Sequence, residues 1–249
     1  MWEVFFVVFL LILSFLMNLF ANVPRVVAFR RNVIIQIIAL LNILLTQEFL
    51  KLAFGMQKMA ILASEVIFMV GTTVYIISIY YLLKQFTQNR IILNSILISF
   101  IVAFSVGYVV QNPFINVEIE GKKYYTLLVQ TCFSLGTFTV IFFTMKELFS
   151  ENTTSQTERL WGAACVYFMI AWGFGGIYDV ITVLDPTAFG IVNKASISYL
   201  EATAYSLSVL GNFNPLYEKV SPLVARVAVI EAVWAHLFVV LAVGRLLTK

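Results

Sequence analysis

Long apolar runs separated by short polar connections organise this chain. Seven of them are about the 20 residues that carry a helix across a bilayer: Trp2–Ala21, Val33–Phe54, Met59–Leu83, Ile91–Val110, Tyr125–Leu148, Leu160–Leu184 and Pro222–Leu247. Runs of this length are too long for barrel strands, so the pattern predicts an all-α, polytopic membrane protein with about seven transmembrane helices. Between the last two runs, the amphipathic stretch Ser196–Leu210 is too polar to span. Its position predicts a re-entrant half-helix, a form tolerated only where protein or a water-filled cavity buries it. The chain thus divides into an amino-terminal bundle of five spans, residues 1–158, and a unit of two spans with the re-entrant segment, residues 159–249.

Composition agrees with the pattern. With 61% hydrophobic residues, 12% charged residues and a mean hydropathy of +0.94, the chain is too apolar for a soluble domain. Cationic connections stay cytoplasmic. An inside carboxyl terminus places nine of the 16 Lys and Arg residues on the inner side. The triple-basic Arg25/Arg30/Arg31 after the first run, against an amino terminus with Glu3 and no basic side chain, favours an outside amino terminus. The first run lacks a basic leader and has full spanning length, so it is expected to be retained rather than cleaved. Cys132 and Cys165 both fall in spans, where they act as small apolar residues and not as a disulfide framework. The acceptor Asn152-Thr153-Thr154 lies on the predicted inner side, which argues against glycosylation. The alternating segment Asn116–Tyr124 reads as a hairpin in a solvated external loop, Asn112–Tyr124, with a capping role as the alternative.

Several function classes drop out. One His and two membrane-buried Cys provide neither a metal cluster nor a nucleophile–base pair, and no glycine-rich phosphate loop precedes a helix. The chain is therefore not expected to be an enzyme, nor to hold a metal or cofactor. A net charge of +3 spread over connections is not a nucleic-acid surface. Gating charge needs several Arg or Lys along one helix, and Ile91–Val110 has none, which argues against a voltage sensor.

The carboxyl-terminal stretch is the most informative. Ser206-Leu207-Ser208-Val209-Leu210-Gly211 is followed by Asn212-Phe213-Asn214-Pro215, and Ser221-Pro222 then opens an apolar helix ending in Gly244-Arg245-Leu246-Leu247. Tyr199 through Leu247 resembles the two-helix pore module of the tetrameric potassium-channel superfamily, most like prokaryotic ion-channel proteins with extra amino-terminal spans. The resemblance covers about a fifth of the chain. It implies four copies of the chain, a filter at Ser208, Val209, Leu210, Gly211, Asn212, Phe213 and Asn214, and an inner helix with a gate region at Trp234, Ala235 and His236.

The departures fall where selectivity is set. A potassium filter stacks backbone carbonyls from a Thr-Val-Gly-Tyr-Gly strand. Here Val209 replaces the ion-coordinating Thr, Asn212 the aromatic, Phe213 the second Gly and Asn214 the Asp, and Gly211 alone is kept. Potassium selectivity is therefore not carried over. Asn212 and Asn214 offer amide groups to a wider site and tolerate left-handed backbone angles; the plainer reading is that Gly211–Pro215 is a turn. Ala235 stands where the superfamily often has a hinge Gly, which favours a straight helix by about 1 kcal/mol. Trp234 either plugs the path or packs. His236 is about 140° around the helix from Glu231, so the two do not share a face, and packing or a polar interhelical contact is the expected role of His236.

Carboxylates at membrane depth must be paired, protonated or wet. The resemblance implies that Glu231 supports the filter from behind, by a bond to the pore helix or, second, by direct ion coordination. Glu201 is expected at the start of that helix, where its charge suits the dipole. Glu218 sits beyond the filter, solvated or enriching cations at the mouth. Glu48 and Lys51 can pair on one face, the Gly173-Phe174-Gly175-Gly176 run lets helices approach, and Glu65 with Asp179 is a candidate proton or cation site. These residues lead to one principal expectation, a weakly selective monovalent cation channel assembled as a homotetramer in membrane lipid. A non-conducting channel-related receptor or scaffold is the alternative, for which Phe213, Trp234 and Ala235 speak. A proton-coupled transporter using Glu65, Asp179 or Glu231 is the third.

Overall fold

The computed structural model of the protein describes residues 23–41, 57–87, 89–111, 122–150, 155–190, 199–213, 216–217 and 219–247, with the isolated positions 45, 49 and 52. Trp2–Ala21, the Glu48/Lys51 pair, the Asn152 acceptor, Asn112–Gly121, Asn214 and Glu218 lie outside the described residues.

The described residues form seven α-helices: α1 (Arg25–Leu41), α2 (Gln57–Phe86), α3 (Arg90–Gln111), α4 (Lys122–Leu148), α5 (Gln156–Leu184), α6 (Tyr199–Leu210) and α7 (Pro222–Leu247). Among the described residues, four segments are long and apolar enough to cross a membrane: Arg90–Gly107, Lys123–Leu148, Gln156–Leu184 and Pro222–Gly244. They coincide with the fourth to seventh runs of the sequence pattern.

Helix boundaries have local causes. Asn89 caps α3, its side chain accepting from the Ile91 amide at 3.0 Å. Ser155 opens α5 with a capping box: its hydroxyl accepts from the Glu158 amide at 3.3 Å while the Glu158 carboxylate accepts from the Ser155 amide at 3.4 Å. Ser221 caps α7 and Pro222 takes the first helical position, where its missing N–H costs nothing. The Ser221 amide also bonds the Ala188 carbonyl at 2.7 Å, tying the entry of α7 to the turn after α5.

Two expectations change. Arg25, Arg30 and Arg31 belong to α1 rather than to a connection, because the helix starts right after Pro24. Arg25 pairs with Glu147 at 2.5 Å and reaches the Gln85 carbonyl at 3.4 Å, so it joins the start of α1 to the ends of α4 and α2. Lys122–Tyr124 are likewise not hairpin but the first turn of α4.

α5 is the centre of the molecule. It packs against α1, α4, α6 and α7, and Cys165, Val166, Met169, Ile170, Ala171 and Tyr178 on it are fully buried. Small residues make this possible: a Cβ on Gly175 would lie 2.9 Å from the Thr203 Cα of α6, and one on Gly176 would strike Ser134 of α4. The five-plus-two division of the sequence therefore runs through a shared helix, since α5 belongs as much to α1 and α4 as to α6 and α7. Cys132 and Cys165 are free thiols. Buried polar side chains join α1 to its neighbours: Asn32 donates to Ser78 of α2 at 2.9 Å, Gln36 donates to Asn32, and Gln36 reaches the Cys165 sulfur of α5 at 3.6 Å.

Candidate functional site

α6 spans 12 residues, about 18 Å at 1.5 Å per residue, too short to cross a bilayer. It lies against α5 and α7. Its contact face is small or polar: Ala202, Thr203 and Ser206 are fully buried, and the Tyr199 hydroxyl donates to the Trp172 carbonyl of α5 at 3.3 Å.

Its far end is a complete helix cap. The Phe213 amide donates to the Ser208 carbonyl at 2.9 Å and the Asn212 amide to the Val209 carbonyl at 3.2 Å, with Asn212 left-handed at φ 52°. These are the two bonds of a Schellman motif, with Asn in the position that needs a positive φ. The Gly211 amide donates to Leu207, and the Tyr167 hydroxyl of α5 donates to the Leu210 carbonyl at 3.1 Å. Consecutive carbonyls from Leu207 to Leu210 are thus all engaged.

At backbone level the stretch expected as the filter is the end of a helix and its cap. Ser208, Val209 and Leu210 are helical, Ser208 also donating to its own helix at Tyr205, and do not form an extended strand of outward carbonyls. The physical reason is in the sequence: with Gly211 as the only glycine, no residue before it needs to leave the helix, and the unusual backbone angle falls on Asn212. Leu210 and Ser208 are buried and Val209 half-buried, while Asn212 and Phe213 are exposed, Phe213 to 73%. Of the described filter residues, Asn212 and Phe213 form an open tip.

Glu231 of α7 is fully buried and faces α6 and α5. The Ser206 hydroxyl donates to one carboxylate oxygen, and the Tyr178 hydroxyl donates to the other at 2.7 Å. One side chain therefore fastens three helices. Around it an aromatic cluster closes this end: Tyr205 stands edge-on to Tyr178 and to Phe189, with 5.0 Å between ring centres in both pairs, and Phe189 meets Tyr217 at 5.2 Å. Burial pushes the Tyr217 phenol up from its ordinary value, and the Glu201 carboxylate of α6's first turn adds to the shift.

The inner-helix residues divide. Trp234 stacks on Phe138 of α4 at 5.7 Å and meets Phe174 of α5 edge-on at 6.1 Å, and Ala235 is buried. Both face their own chain, so neither lines a passage bounded by the open side of α7. His236 is exposed, its Nδ1 2.6 Å from the Ala232 carbonyl of its own helix, which replaces the interhelical contact expected for it. The open side carries Val229, Ile230, Val233, Leu237 and Val240.

The two other carboxylates are described to different extents. Asp179 is buried on α5 within reach of the Gln130 side chain of α4; Glu65 belongs to α2, with its side chain outside the described residues. Tyr178, Tyr167 and the Asn32–Gln36 pair escaped sequence reasoning. The last had a visible signal, two amides four residues apart in an apolar helix.

No protein-family model, curated protein or solved structure matches the chain.

Proposed function

We propose that the protein is a multi-pass membrane channel subunit conducting monovalent cations with weak selectivity, in which four copies place α5, α6 and α7 around a common path. The observation that carries this reading is α6 itself: a helix too short to span, held between two spanning segments by the buried Glu231. Its negative dipole end and the exposed Asn212–Phe213 tip are where a permeant cation is met. Discrimination is weak because the carbonyls of Ser208 to Leu210 are spent within the chain, leaving the Asn212 amide as the polar side chain of the tip among the described residues. The open apolar side of α7 supplies the surface for lipid and neighbouring copies. The amino terminus lies outside and the carboxyl terminus in the cytoplasm, following the basic residues.

A second reading, a non-conducting channel-related scaffold or receptor subunit, is favoured by the closed cap and the bulky exposed Phe213. Flux from reconstituted liposomes separates the two. Potassium and sodium flux are measured for the natural protein and for Asn212→Gly, which keeps the left-handed cap and removes the amide. A flux whose ion ranking changes in the variant supports the pore; no flux from folded tetramers, over several pH values and voltages, supports the scaffold.

A further inference from the structure

Apart from α6's tip, the molecule holds an apolar cavity of ≈ 200 Å³ where α1, α2, α4, α5 and α6 converge. Aromatic rings form its inner wall: Tyr75 lies 5.2 Å from Trp172 and 6.0 Å from Phe133 between ring centres, and Tyr199 lies 6.2 Å from Trp172. Ile38 of α1, 61% exposed, belongs to the same lining and marks where the cavity opens to the surface of the chain. Two of the lining residues carry an unsatisfied polar group. The Tyr75 hydroxyl and the Trp172 indole nitrogen are buried, on residues only 1% and 3% exposed, and have no hydrogen-bond partner among the described residues. Native interiors pair such groups nearly always, and an unpaired one in apolar surroundings is costly. At Gly71 on the wall, an added Cβ meets nothing within 4 Å.

An apolar cavity of about 150 Å³ is already enough to admit a benzene ring, and binding sites join an apolar wall to a few placed polar groups. We propose that this cavity binds a small amphiphile, a single ring or short chain bearing one hydroxyl or carbonyl oxygen, which enters from the lipid and places that oxygen against Tyr75 and Trp172. The oxygen accepts from the indole N–H, a donor only, and exchanges a hydrogen bond with the phenol. This goes beyond the channel reading and does not depend on it. Tyr199, the first residue of α6, shares the wall, so occupancy is felt at α6.

Fluorine NMR titration of the full-length protein in nanodiscs tests the proposal with two isosteric probes, para-trifluoromethylphenol and para-trifluoromethyltoluene, each corrected for partition into empty nanodiscs. Saturable binding of the phenol is expected, with a preference over the toluene of roughly fivefold or more, the ratio one net hydrogen bond supports. Trp172→Phe and Tyr75→Phe, which keep the rings and delete the unpaired groups, should each reduce that preference. Gly71→Leu should fill the space and abolish binding of both probes. Thermal midpoints without probe identify any variant that fails to fold, and the two ring-conserving variants keep the test open if Gly71→Leu does. No saturable binding, equal affinity for the two probes, a preference untouched in both ring variants, or full binding in a folded Gly71→Leu protein would each overturn it; equal affinity would mean an acyl chain or other purely apolar occupant.

Discussion

α5 and α7 are both apolar helices long enough to span a membrane, yet 61% of the spanning window of α5 is buried inside the chain and 17% of that of α7. The difference does not follow hydrophobicity, since lipid solvates an apolar face as well as protein does. It follows side-chain size and polarity. α5 carries Gly162, Gly173, Gly175 and Gly176 together with Tyr178, Asp179 and Thr182, residues that let neighbours close in or that need partners. α7 carries Val, Leu and Ile on its open side and presents Glu231 and Trp234 to the chain. Burial in this protein is assigned by small and polar residues, and the apolar remainder of α7 is left open.

The comparison breaks most sharply at Gly175. A side chain there runs into the Thr203 hydroxyl and, at 2.9 Å, into the Thr203 Cα behind it, so turning the hydroxyl away is not enough and relief requires α6 to shift. Gly175→Leu is expected to destabilise by about 3 kcal/mol, the top of the usual range for overpacking, and to separate α6 from α5. Unfolding in mixed detergent, followed by helical circular dichroism, reads the loss; an unchanged midpoint would mean that α6 is not seated on α5.

A smaller effect sharpens the role of Glu231. Removing the carboxylate leaves the Ser206 and Tyr178 hydroxyls unpaired in a dry interface, and removing one hydroxyl leaves half the carboxylate unpaired. Hydrogen bonds between helices in membranes are worth about 0.6 kcal/mol on average and about 1.7 at most. A double-mutant cycle of Glu231→Gln with Tyr178→Phe is therefore expected to show a coupling of about 1 kcal/mol. Additive single effects would show that the Tyr178 bond does not help to hold α7.

How much of this could be read from the residues differs between the two helices. The glycine run of α5 announces close approach, and a carboxylate within the apolar α7 announces a need for partners. The partners themselves, Ser206 and Tyr178, depend on how three helices rotate against one another, which no single helix specifies. Trp234 illustrates the same limit: it can serve a passage or a packing contact until Phe138 and Phe174 are known to stand beside it. Other features were written locally and passed over. Ser155 and Glu158 spell a capping box, and Pro24 before a basic, helix-favouring segment sets the start of α1 well ahead of its apolar run. In the filter region the resemblance and the local signal differ. Its spacing fits a carbonyl filter, but Ser208-Val209-Leu210 contains nothing that stops a helix, and the stop comes with Asn212.

The smallest expected effect tests the open side of α7. Nothing lies within 4 Å of a Cβ added to Gly244, in contrast to Gly175. Within one chain Gly244→Ala should do no harm and should stabilise by about 0.5–1 kcal/mol, the helix propensity difference between the two residues. Gly244→Leu adds volume where the chain offers no obstacle, so any loss must come from another molecule. If lipid covers this position, both variants unfold at or slightly above the natural midpoint and keep the same oligomer distribution in native mass spectrometry. If copies of the chain meet there, Ala is tolerated while Leu shifts the distribution toward smaller species, with the monomer's own midpoint unchanged. That pattern would distinguish a helix left open for the membrane from one left open for its own kind.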